Sequence, residues 1–243
     1  MATKKCRNLL SVAAMALLCA CEPSDARFPA VATLDPDNAK ADGTRLISLS
    51  EGLHRLDRNA ATTRAVVMVH GWGSRGIEWV YPIVTLAGPE VATYFFRWDW
   101  NGCPGPAAAS LRDALATLPA TNKKLKTVTV LGHSYGGLVA HELARAADTI
   151  GELSLTTHVI ASPLAGSEAL TGACEYAPAD RLSRFNEWRT RHELDGAFKD
   201  MAVDPQVVKI TGSRVTLLPE TYRERRLGHN WAISWVADEL ASK

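Results

Sequence analysis

Strands alternating with helices predict an α/β fold, a doubly wound and mostly parallel sheet with a small helical cap. Three observations carry this prediction. Continuous apolar runs of strand length recur along the chain, helical stretches separate them, and Gly132-His133-Ser134-Tyr135-Gly136-Gly137 joins a β-branched run to a helix. A run apolar at every residue marks a strand buried on both faces, which a sheet covered by helices on both sides requires.

The elements follow in order. Leu46 to Leu49 reads as a first edge strand, and Ala65-Val66-Val67-Met68-Val69 as the first central one. Val91 to Trp98 is the second central strand, and Lys126-Thr127-Val128-Thr129-Val130-Leu131 the third. His158-Val159-Ile160-Ala161 is the fourth and Val207 to Thr211 the fifth. Between them, Ala107 to Leu118 carries Leu111, Leu115 and Leu118 at helical spacing, and Leu138 to Ala147 and Trp231 to Leu240 also read as helices. Leu182, Phe185 and Trp188, then Leu194, Phe198 and Met201, recur three or four apart. That spacing predicts amphipathic helices, so residues 164–205 are read as a cap inserted in the domain.

The N-terminus is set apart. Lys4, Lys5 and Arg7 precede a short apolar stretch from Leu9 to Leu18, which ends in Leu18-Cys19-Ala20-Cys21. This is the pattern of a cleaved export signal, too short to span a bilayer. It resembles a bacterial lipobox, which implies lipidation of Cys21 and a membrane anchor; an ordinary secretory signal is the alternative. The Glu22 that follows favours the outer membrane. Residues 1–20 are then the signal, 21–43 an Ala-, Pro- and Asp-rich tether, and 44–243 the domain. Losing the signal removes three of 27 basic residues and none of 26 acidic ones, leaving a net charge of −2. No block of like charge suggests nucleic acid as a partner. Cys103 and Cys174 remain, and two cysteines in an oxidising compartment predict a disulfide.

Strand, G-x-S-x-G, helix is the context of a nucleophile elbow, in which the chain turns sharply and exposes the serine hydroxyl above the sheet. With His70-Gly71-Trp72-Gly73 after the first central strand and Gly228-His229-Asn230 before the last helix, the chain resembles the α/β-hydrolase superfamily over roughly residues 64–241, particularly its bacterial lipase- and esterase-like members. The resemblance implies a serine hydrolase that forms an acyl-enzyme on Ser134 and takes small-molecule or lipid esters. A serine hydroxyl needs a positioned base, and the superfamily order of serine, acid, histidine assigns His229. His133 and His141 are read as pointing away from Ser134 or packing on the sheet, and His54, His158 and His192 lack the context. The oxyanion donors are the backbone N–H groups of Tyr135 and Trp72. His70 is read as bracing its loop.

The acid departs from the pattern. Gly212 to Pro219, after the expected fifth strand, holds no carboxylate. Glu220 is the first one beyond it and is the favoured candidate. Glu168, Asp180, Asp195 and Asp204 are the alternatives. Two other readings stay open: thioester or amide cleavage at the same site, and a hydrolase-fold protein that only binds. No residue spacing suggests a metal site, and no phosphate loop or dinucleotide motif implies a cofactor.

Overall fold

Four of the apolar runs pair side by side. The computed structural model, which describes residues 28–59, 62–166, 172 and 174–242, contains them as parallel strands β2 (Arg64–Val69), β3 (Val91–Arg97), β4 (Thr127–His133) and β6 (Leu153–Ile160). β7 (Phe185–Arg189) and β8 (Arg214–Leu217) extend the sheet in parallel. β1 (Gly52–Arg55) lies antiparallel on β3 at the other edge, and β5 (Thr149–Ile150) folds back on β6. The strand order is β1-β3-β2-β4-β6-β7-β8.

The core divides by the pleat of the strands. Ala65, Val67 and Val69 of β2 join α3 (Pro104–Thr121) and α4 (Tyr135–Ala146) on one face, through residues such as Leu111 and Leu138. Met68 points to the opposite face, where Leu46 of α1 (Ala39–Ile47), Trp79 of α2 (Ile77–Leu86) and Ile233 of α5 (Ala232–Ala241) gather. Both layers are apolar because neither face of these strands meets water. The chain builds outward from β2 to β3 on one side and from β4 to β6 on the other. The order therefore reverses between β2 and β4, and a crevice opens beyond their carboxyl ends.

Several expectations are corrected. The stretch 182–188 is no cap helix: Phe185–Arg189 is β7, and residues 192–194 form only a 3₁₀ turn. Phe185 belongs to one core layer and Trp188 to the other. Two apolar residues three apart fit a strand buried on both faces as well as they fit a helix. Val207 to Thr211 is not a strand; Thr211 forms a single bridge to Arg181, and the edge falls to β8. Leu46 and Ile47 end α1 rather than forming a strand. The expected tether and the domain start at residue 44 also change. From residue 28 the described chain is folded on the domain, with Leu34, Asp42 and Leu46 buried. The Asp42 carboxylate accepts the Asp35 N–H at 2.6 Å, which gives a buried charge a partner. The signal at 1–20 and Cys21 lie outside the described residues.

Two further pieces frame the crevice. A disulfide joins Cys103, at the start of α3, to Cys174, ahead of β7, with S–S 2.03 Å. A two-stranded hairpin, β9 (Thr221–Tyr222) and β10 (Arg225–Arg226), stands between β8 and the last helix.

α1 is held by backbone contact. A Cβ on Gly43 would lie 2.4 Å from the Ile77 nitrogen and 2.8 Å from the Arg75 oxygen. Gly43→Ala is therefore expected to lift α1 from the loop ahead of α2 and to cost about 3 kcal/mol, at the upper end for an overpacked contact. Urea unfolding of the two proteins measures it; equal midpoints would show that the N-terminal segment does not pack as described.

Candidate active site

The site stands at the strand-order reversal. β4 ends at His133, and Ser134 takes φ 53° and ψ −125° before α4 begins at Tyr135. A non-glycine residue in this region is strained, and the turn is held on both sides. The Ser134 N–H donates to the Ile160 carbonyl, and the Ser134 carbonyl accepts from Gly137 N–H, both at 2.9 Å. A Cβ on Gly136 would sit 2.3 Å from the His70 oxygen, so only glycine lets α4 start this close to the end of β2. Gly71 likewise lies against Ser134, where a Cβ would meet the serine Cβ at 2.9 Å.

These contacts bring the loop after β2 to the serine. His70 locks that loop. Its Nδ1–H donates to the Gly71 carbonyl at 3.0 Å, and its Nε2 accepts the Trp98 N–H at 3.2 Å. The Trp98 indole N–H returns a bond to the His70 carbonyl at 2.9 Å. Burial lowers the His70 pKa to about 4, with the Gly71 carbonyl opposing and Arg97 assisting, so the ring stays neutral. Tyr135 is the first residue of α4, and its N–H has no intrahelical acceptor. Among the described residues, no backbone carbonyl accepts the N–H of Trp72 either. The Trp72 side chain is 70% exposed.

His229 sits on the loop before α5. Its Nδ1 is 2.9 Å from Asp195 Oδ2. An ionised carboxylate only accepts, so Nδ1 carries the proton and Nε2 keeps a lone pair. Asp195 is fully buried. Burial pushes its pKa up, but hydrogen bonds from His229, the Thr190 hydroxyl and the Ala197 N–H outweigh it and hold the carboxyl below its ordinary value. Gln206 fixes Thr190 in turn, accepting the Thr190 N–H at 2.9 Å. The His229 ring lies between His133 (centroids 4.6 Å apart) and the edge of Phe198 (4.9 Å). His133 Nε2–H donates to the His229 carbonyl at 3.1 Å, tying the histidine loop to the strand that carries the serine.

Gly71, Trp72, His133, Ser134 and His229 line one cavity of about 820 Å³. Among the described residues, no hydrogen bond joins Ser134 to His229, although both line this cavity.

The acid expectation is corrected by this geometry. Glu220 is 69% exposed at its side chain and pairs loosely with Arg191 at 3.8 Å, away from the His229 ring. Asp195 takes the place beside His229 because β7 enters the sheet and the segment after it carries Thr190 and Asp195 to the histidine loop, with the Leu194 carbonyl against Gly228. Asp180 follows a different path: its carbonyl accepts the Thr211 N–H. Asp204 binds Gln206. Glu168 lies outside the described residues. The order serine, acid, histidine holds for Ser134, Asp195 and His229, and that order was the one signal in the sequence for Asp195. Thr190 and Gln206 carry no sequence signature. His141 is buried in α4 and accepts the Ala179 N–H, away from the site.

The chain belongs to the alpha/beta hydrolase family, whose model matches residues 66–237. No curated protein sequence matches it. Among solved structures it resembles poly(aspartic acid) hydrolase-1 from Sphingomonas sp. KT-1 (TM-score 0.52, 13% identity, covering 79% of this chain and 92% of that one). It also resembles Est1E from Butyrivibrio proteoclasticus (0.51, 14%, 78% and 90%). A lipase-esterase related protein from Clostridium acetobutylicum ATCC 824 is similar too (0.50, 11%, 78% and 97%). At these identities the likeness is one of fold.

The buried neutral histidines make the fold acid-sensitive. The folded pKa of His70 lies at about 4, below the ordinary 6.5. That of His133 is also well below the ordinary value, first through burial and then through His229. The unfolded chain therefore binds more protons than the folded one across this window. Stability is full above pH 6.5 and falls toward pH 4 by up to about 1.4 kcal/mol per pH unit for each such histidine. Denaturant unfolding at pH 7.5, 6 and 5 measures the slope, and a flat profile would show that these rings are not held neutral.

Proposed function

We propose that this protein is a serine hydrolase that cleaves carboxylic esters through an acyl-enzyme on Ser134. The observation that carries the reading is the buried His229–Asp195 pair lining the same cavity as the elbow serine. Ser134 Oγ attacks the acyl carbon as His229 Nε2 takes its proton. Asp195 keeps the imidazole oriented and stabilises the imidazolium. The tetrahedral oxyanion is received by the N–H groups of Tyr135 and Trp72, which have no backbone acceptor among the described residues. His229 then protonates the leaving alcohol, and water repeats the sequence to release the acid.

Asp195 supplies a carboxylate in hydrogen-bond reach of His229, which supports catalysis over a protein that only binds. We also place the chain outside the cytoplasm, as a lipoprotein anchored through Cys21 with the outer membrane favoured. The basic and apolar N-terminal segment supports this, and so does the Cys103–Cys174 bridge, which suits an oxidising compartment.

A fluorophosphonate probe is expected to label Ser134, and Ser134→Ala to remove both labelling and ester turnover. Asp195→Asn is expected to lower kcat by up to about 10⁴, the cost of losing the equivalent group in a serine protease. Glu220→Gln is expected to leave kcat unchanged. Folded protein that the probe does not label would overturn the proposal, and equal losses from the two acid variants would overturn the assignment of Asp195.

A further inference from the structure

The cavity that holds Ser134 has cations on its walls that the reaction above does not use. Arg75 reaches it from the loop after β2, and Arg223 and Arg225 reach it from the β9–β10 hairpin. Their partners differ. Arg223 donates to the Tyr81 hydroxyl and pairs with Asp238 at 3.0 Å. Its guanidinium also lies over the rings of Tyr81 and Tyr222, at 4.5 and 4.9 Å. Among the described residues, neither Arg75 nor Arg225 is paired with a carboxylate. The Arg225 guanidinium lies 6.0 Å from the Trp231 ring. The carboxylates on the same walls are Glu78, which accepts the Ser74 hydroxyl, and Asp37.

The hairpin is built at a cost. Tyr222 pairs with Arg225, so its turn is the two residues Arg223 and Glu224, with φ of 49° and 61°. Two-residue hairpins of this kind favour Asn-Gly because both positions need positive φ. Here an Arg and a Glu occupy them, and side chains pin the turn to α2 and α5. The strain and the clamp on Arg223 fix the backbone of the turn, from which Arg225 extends to the cavity wall.

We infer that the cavity takes an ester bearing an anionic group, a carboxylate or phosphate, which Arg75 and Arg225 bind away from the scissile bond. Guanidinium groups suit this task because they remain charged and present paired donors to planar or tetrahedral oxyanions. Both side chains are exposed to solvent, so salt screens them and the preference is read at low ionic strength. The inference names the substrate class of the proposed serine hydrolase and rests on that reading for turnover, but the anion site is a matter of binding.

Two ester pairs test it. Mono-4-nitrophenyl glutarate carries the anion on the acyl side, and its neutral match is the 4-nitrophenyl ester of the monomethyl glutarate. 4-(Butyryloxy)benzoate carries it on the alcohol side, against its methyl ester; glycerol phosphate butyrate replaces the carboxylate by phosphate. At least one anionic ester is expected to exceed its neutral match by about tenfold in kcat/KM, the size of a charge-assisted contact. Arg75→Gln with Arg225→Gln is expected to erase that preference and leave the neutral esters unchanged. Arg226→Gln, which removes the same charge from the hairpin outside the cavity, is expected to keep it. Calorimetry of the same esters with Ser134→Ala reads the site without chemistry, and the Arg75/Arg225 variant in that background is expected to bind anionic esters about tenfold more weakly.

Neutral esters turned over and bound as well as anionic ones would overturn the inference while leaving the serine hydrolase intact. A preference lost equally in Arg226→Gln would reduce it to net charge and overturn it too. No turnover of any ester, with arginine-dependent binding to Ser134→Ala, would overturn the hydrolase reading and keep the anion site.

Discussion

The site depends on a place where three backbones meet with no side chain between them. The ends of β2 and β4 and the start of α4 approach so closely that a Cβ on Gly132 would lie 2.4 Å from the Gly136 oxygen, and one on Gly136 2.4 Å from the Val69 oxygen. This contact does three things at once. It exposes Ser134 at the turn, presses Gly71 against it, and leaves the first amide of α4 without a backbone partner among the described residues. The strain of a non-glycine at φ 53° costs on the order of 1–3 kcal/mol and persists because the surrounding ladder over-determines the turn. The Ser134 N–H is itself part of that ladder, donating to Ile160 on the neighbouring strand.

Around this junction, three histidines of the same chemistry are given different work by their partners. His70 finds one acceptor and one donor, both backbone groups, and is held neutral as a brace. His133 finds the carbonyl of His229 and is likewise kept neutral by burial. Only His229 finds a carboxylate. That carboxylate holds the ring with Nδ1–H toward Asp195 and Nε2 turned away from it. The two braces serve it from both sides: His133 fixes the backbone of the histidine loop, and His70 fixes the loop that carries Trp72. The division of labour is set by tertiary contacts, since His133 is next to Ser134 in sequence and His229 is far from it.

That distinction explains what could be read from the chain and what could not. Ser134 was legible because strand, turn and helix are all local, and the glycines that allow the turn lie within four residues of it. The central strands were legible from unbroken apolar runs. Asp195 was one of several candidates because its role depends on where β7 lies. β7 was obscured by Phe185 and Trp188, which serve opposite faces of a sheet yet stand three apart like helix neighbours. The N-terminal segment was misread for a related reason. Its Ala, Pro and Asp content looks like a linker, while its attachment rests on isolated contacts: Leu34 and Leu46 in the core, Asp42 on the Asp35 amide, and Gly43 on the loop ahead of α2.

With β7 inside the sheet, the walls of the cavity come from elsewhere. Pro36 and Asp37 line one part, the loop after β2 another, and the hairpin a third. Each wall is fastened to the body of the domain. Gly76 packs on Gly43, Ser74 binds Glu78, and Arg223 reaches both Tyr81 and Asp238. Fixed walls select differently from a closing lid. Wall residues that are already hydrogen-bonded, such as Ser74, Glu78 and Arg223, are ordered before a substrate arrives, so less is spent on immobilising them. A strained two-residue turn gives the hairpin a stiff backbone, and the clamp on Arg223 offsets the strain. The walls set charge and shape at the mouth of the cavity, while the backbone junction beneath them holds Ser134 at its turn.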